Sequence, residues 1–262
     1  MRSRSTVAAV PRRDRALVLG CILLVAGLAW AYLVYLDHRM SSSAASAAAM
    51  AQMGMVMDAP WRAADVLFTF MMWAVMMVGM MSVPAAPVLL LFADMQARRG
   101  ERVFSTALLL FGLGYLTVWL GFSASAALAQ WALHEAALLS SGMVASSRVL
   151  GGAILIGAGV YQLTPAKSAC LQHCQSPLGF LMSHWRDGLS GAFRMGLRHG
   201  VYCLGCCWAL MGVLFAVGIM NLAWVGILTA FILLEKVVPT GALVTRVAGV
   251  AMIASGLFLA AV

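Results

Sequence analysis

Long apolar runs alternate with short polar breaks along this chain, and each run is about as long as a helix that crosses a lipid bilayer. Such a helix needs roughly 20 apolar residues. The first run extends from Ala16 to Leu36 and stops at Asp37-His38-Arg39. It is longer than the apolar stretch of a cleaved signal peptide, which predicts a retained span. Further runs cover 66–92, 103–131 and 144–163. A longer polar segment at 164–192 precedes a fifth run at 193–220. Asn221 marks a tight turn, and short runs at 222–236 and 241–260 complete the chain. The pattern predicts an all-α polytopic transmembrane helix bundle of about seven spans, or six if the last two pair as one tight hairpin. Residues 41–49 (SSSAASAAA) read as a flexible loop. Pro84 and Pro87 predict a kink or an unwound turn in the second span. The expected organisation is a basic N-terminal segment at 1–15, a first span at 16–36, an outer Met-rich loop at 37–65, and a metal-binding membrane domain at 66–262.

Composition agrees with lipid as the main solvent. Only 10% of residues are charged and 63% are hydrophobic, against about 25% charged in soluble domains. The net charge of +8 would suit a nucleic-acid ligand, but the basic residues sit at the ends of the apolar runs. That arrangement reads as membrane topology, with no nucleic-acid partner. With the N-terminus inside, fourteen of the 17 Lys and Arg residues fall on inner segments, and Arg39, Arg62 and Arg148 fall outside. The bias predicts a cytoplasmic N-terminus and leaves almost no Lys or Arg in an apolar interior. The lipid bilayer is the first expected partner. Nothing in the sequence specifies an oligomeric state.

Chemistry concentrates in the fifth run. With His199 as zero and about 100° per residue, Cys203 lies near 40°, Cys206 near −20° and Cys207 near 80°. All four share one helix face. Cys170 and Cys174, with His173 between them, lie on the same side of the membrane by the charge map. If their segment is helical, their thiols face one way. Thiolates and imidazoles in this density suit a soft cation, Cu(I) first and zinc second. Packing is the competing reading, because cysteine is also a good apolar filler. His184, Arg186 and Asp187 read as ordinary interfacial polarity. Met72, Met76 and Met80 form one stripe on the second span, with Met77 and Met81 elsewhere on that helix. The stripe suits either flexible packing or copper handling. In the outer loop Met53, Met55 and Met57 follow Met50. Thioethers bind Cu(I) without deprotonation and survive where thiols are oxidised.

Four blocks carry a family resemblance: MMWAVMMVGMMSVPAAP, YQLTPAKSACLQHCQSPLGF, GAFRMGLRHGVYCLGCCWALM and LLEK. Together they resemble the bacterial predicted metal-binding integral membrane proteins, some of which are described as copper chaperones. The resemblance covers about residues 66–258 and implies an inner-membrane copper-handling protein. It carries the family's Cys and His positions onto Cys170, Cys174, His199, Cys203, Cys206 and Cys207, and its Met-Trp block onto Met72, Trp73, Met76, Met80 and Met81.

The leading expectation is a non-enzymatic protein that delivers or translocates Cu(I) for a cuproenzyme, with that enzyme or a soluble copper carrier as partner. The candidate ligands are Cys170, His173, Cys174, His199, Cys203, Cys206 and Cys207, with Met53, Met55, Met57, Met72, Met76 and Met80. A membrane thiol oxidoreductase using the Cys203-x-x-Cys206 pair is one alternative. A structural subunit of a membrane complex is another. No P-loop, H-E-x-x-H or Rossmann glycine pattern is present, so no hydrolytic or nucleotide chemistry is expected.

Overall fold

The computed structural model describes residues 12–52, 61–100, 105–138, 147–219, 221–238 and 241–261, and of 41–52 only the backbone. Every regular element among them is helical: α1 (Arg12–Gln52), α2 (Ala63–Arg98), α3 (Thr106–Glu135), α4 (Arg148–Gln162), α5 (Pro165–Gln175), α6 (Pro177–His184), α7 (Gly188–Val217), α8 (Leu222–Val237) and α9 (Gly241–Ala261).

Among the described residues, α1, α2, α3, α7 and α9 are long and apolar enough to cross a membrane. Helices α4 and α5 meet at 64° and make a sixth candidate if taken as one bent span. Five or six candidates therefore replace the seven expected. With 15 and 16 residues, α4 and α8 reach about 22 and 24 Å, short of a hydrocarbon core of about 30 Å.

Local expectations are refined in four places. The Ser/Ala segment at 41–49 continues the helix of α1, because alanine is the strongest helix former. The two prolines do not unwind α2, which is helical from Ala63 to Arg98. Where Pro84 withdraws a backbone donor, the Tyr115 hydroxyl donates to the neighbouring carbonyl of Met81 at 3.1 Å. The polar segment at 164–192 folds as α5 and α6. Finally, α7 starts at Gly188, which puts Cys203 about half-way along it.

The outward faces are apolar. Leu24, Phe68 and Phe258 are 62%, 75% and 71% exposed, a surface that suits contact with lipid. Small residues let the helices approach closely. Gly196 of α7 meets α3 so closely that a Cβ there would lie 1.9 Å from the Phe111 carbonyl oxygen. Contacts step forward together, from Phe111 beside Gly196 to Tyr115 and Val118 beside Gly200. Helices α3 and α7 therefore run parallel, as two spans entering from one face must. Helices α1 and α2 run antiparallel, tied at one end by Arg15 and Asp94. At that same end Arg99 pairs with Asp187 and stacks over the Trp185 ring at 4.5 Å.

Helix α2 is deeply packed in the bundle. Trp73 is buried, stacks on Phe215 at 5.5 Å and donates its indole N–H to Gln130 Oε1 at 2.8 Å. Met72, Met76, Met77, Met80 and Met81 share one buried core with Cys203, Cys206, Cys207 and Met211.

Candidate metal-handling site

The site begins with the bend after α4. Thr164 caps α5 by accepting from the Lys167 backbone N–H, and Pro165 occupies the first helical turn. Both favour a new helix at this point. The bend lays α5 across α7 with its two cysteines towards it. Gly205 makes this approach feasible, since a Cβ there would lie 2.7 Å from Cys170 Sγ. One turn further along α5, Cys174 Sγ lies 3.9 Å from Cys206 Sγ. The two cysteine motifs, about 30 residues apart in sequence, thus meet in space.

Behind this pair the thiols are ordered by the backbone of α7. Cys206 and Cys207 donate to the Cys203 carbonyl oxygen at 3.1 and 2.8 Å. Cys203 Sγ lies 3.1 Å from the Tyr115 hydroxyl and accepts from Lys236 Nζ at 3.0 Å. The Tyr115 hydroxyl also bonds Met81 O, which puts the methionine-lined α2 level with Cys203. Side chains of α3, α5, α7 and α8 therefore converge on the sulfurs, beside the methionines of α2.

Two thiolates on one soft cation, each at about 2.3 Å, lie roughly 4 Å apart. The Cys174–Cys206 spacing has that value without rearrangement. The Lys236 ammonium would offset the charge of a bis-thiolate site holding a monovalent ion. All of these cysteines are free. Among the described residues, no three His, Cys, Asp or Glu side chains already converge as a closed metal centre.

The remaining candidate ligands divide. His199 is buried, at 3% exposure, and its Nδ1 has no hydrogen-bond partner. It is packed among Phe111, Tyr115 and Phe180, one turn before Cys203. His173 does not join the thiols. Its ring lies on Tyr202 at 4.1 Å, 7° from parallel. Met72, Met76 and Met80 are buried in the core they share with the cysteines, and so are Met77 and Met81. Helical spacing assigned those last two to another side of α2, but this helix is enclosed on most of its circumference. Met53, Met55 and Met57 lie outside the described residues.

One feature of the site was not expected from sequence. Lys167 was assigned to an inner loop, yet its side chain is fully buried, as is Glu235. Lys167 Nζ donates to both Glu235 oxygens, at 2.9 and 2.8 Å, and to Gln162 Oε1. Thr245 and Gln162 donate to Glu235 Oε1 at 2.8 and 3.2 Å. Gln175 donates to the Glu235 carbonyl oxygen at 2.7 Å. Both ends of α5 are thereby fixed to the end of α8, and the next residue, Lys236, touches Cys203. A buried ion pair of this kind fixes geometry more than it adds stability. The available signal was the Glu-Lys pair ending a short apolar helix, since an ionisable residue inside a span is a functional candidate by default.

A family model described as a copper chaperone, PpoB2, matches residues 70–259. The matched range contains α5, α7, α8 and most of α2. No curated protein and no solved structure resembles the chain closely enough to count as a match.

Proposed function

The chain belongs to the copper chaperone family, and from that premise we propose that it carries Cu(I) in a bacterial inner membrane and delivers it to a cuproenzyme. The observation that carries this reading is the meeting of Cys174 and Cys206 at 3.9 Å, with Cys203 behind them. In this reading the N-terminus is cytoplasmic and the thiols take copper from the cytoplasmic side. Met80, Met76 and Met72 then offer thioethers at one-turn intervals along α2, leading away from Cys203 towards the outer loop. The chain acts as a carrier and not as an enzyme. Copper is its cargo, exchanged between ligands with no change in oxidation state.

The test is anaerobic Cu(I) titration of the full-length protein in detergent, with a chromophoric chelator as competitor. Tight binding through sulfur, lost in the Cys203→Ser, Cys206→Ser, Cys207→Ser variant, is the expected result. No bound Cu(I), or binding unchanged in that variant, would overturn the proposal. The thiol oxidoreductase reading predicts a different product, a trapped mixed disulfide with a partner.

A further inference from the structure

His173 and His184 stand outside the thiol cluster, at the end of α5 and the end of α6, and both are partly exposed. Their ring centroids are 6.3 Å apart. His173 Nδ1 lies 2.9 Å from Ala169 O, and His184 Nδ1 lies 3.0 Å from Phe180 O. A carbonyl oxygen only accepts, so in each ring Nδ1 carries the hydrogen. Nε2 is then left with its lone pair.

Metal-binding histidines are held this way, with one nitrogen donating to a carbonyl and the other free to bind. The ring spacing is compatible with a shared ion: with a metal–nitrogen bond of about 2.0–2.1 Å and about 1.1 Å from nitrogen to ring centre, two imidazoles whose Nε2 atoms face one ion have centroids up to roughly 6.3 Å apart. Two neutral nitrogen donors suit a monovalent soft cation, whereas zinc takes four ligands.

The pair and the thiols share two helices: His173 precedes Cys174 on α5, and its ring lies flat on Tyr202, which precedes Cys203 on α7. We propose that His173 and His184 form a two-coordinate capture site for Cu(I), from which the ion passes to Cys174 and then towards Cys206. The inference rests on the copper-carrying reading above. In the transfer one Cu–N bond breaks as one Cu–S bond forms. The proton of the Cys174 thiol goes to the freed imidazole nitrogen, and copper remains Cu(I) throughout.

The experiment uses the full chain in detergent, loaded anaerobically with the acetonitrile complex of Cu(I). A variant with Cys170, Cys174, Cys203, Cys206 and Cys207 all changed to Ser isolates the pair. It should bind one Cu(I) with an X-ray absorption spectrum of imidazole nitrogen scatterers only. Adding His173→Ala and His184→Ala should abolish that spectrum. His184→Gln in the otherwise unchanged chain removes one of the two capture ligands, so its thiols should load several-fold more slowly, to the same final copper content. A Cys-free protein that is folded by circular dichroism but binds no Cu(I) would overturn the inference. So would a nitrogen spectrum that survives both His substitutions, or unchanged loading in His184→Gln. Failure of the wild-type thiols to hold copper is a separate result, and it would overturn the function itself.

Discussion

Replacing Glu235 by Gln leaves the Lys167 ammonium buried with only neutral oxygens around it. The side chain of Lys167 is 0% exposed and that of Glu235 is 2% exposed, at 2.8 Å. At an effective dielectric of about 20, charges at that separation attract by roughly 6 kcal/mol. Desolvation offsets part of this, and breaking one side of a buried pair costs about 3–5 kcal/mol. The folded population should fall by roughly two to four decades relative to the unfolded one. The double variant Lys167→Met, Glu235→Met removes both charges. Its cost should fall to about 1–3 kcal/mol, set mainly by Gln162, which loses both partners. Reversible SDS unfolding in mixed micelles, followed by tryptophan fluorescence, measures all three proteins. The reasoning is refuted if Glu235→Gln costs under about 1 kcal/mol, as an exposed pair would. It is equally refuted if the double variant, free of both charges, costs more than Glu235→Gln alone.

Two further expectations are local. Gly205→Ala should keep the fold, because its Cβ meets only the tip of a side chain, but it should push Cys170 off α7. Faster maleimide alkylation of Cys170, followed by mass spectrometry, is the expected result, and an unchanged rate would contradict the packing. Asp187 lies outside the membrane-crossing helices, and its pKa is lowered first by the Trp185 indole N–H and then by Arg99. Its stabilising contribution is therefore present above the ordinary carboxylate value and lost as pH falls through the lowered one. Asp187→Asn should weaken the wild type near neutrality and match it in acid; a difference independent of pH would count against the pairing.

Much of this site was legible in sequence. Helical spacing alone put His199, Cys203, Cys206 and Cys207 on one face, and a helical reading of 170–174 aligned Cys170 with Cys174. Local periodicity fixes such relations because they depend only on rotation about one axis. One feature was not legible. Lys167 reads as a loop charge when judged by its neighbours in sequence, and its partner, Glu235, lies on another helix.

By itself, the sequence determined that the chain is helical and apolar on its outer faces, and that its thiols and thioethers are grouped. Hydrophobic length and helical period carry that information, because a long apolar segment satisfies its own backbone groups as a helix. Tertiary structure decided the rest. The bend between α4 and α5 brings Cys174 to Cys206, Gly205 admits Cys170, and the buried Lys167–Glu235 pair holds α5 in place. These depend on distances between helices, which are set by side-chain volume and charge pairing across the bundle.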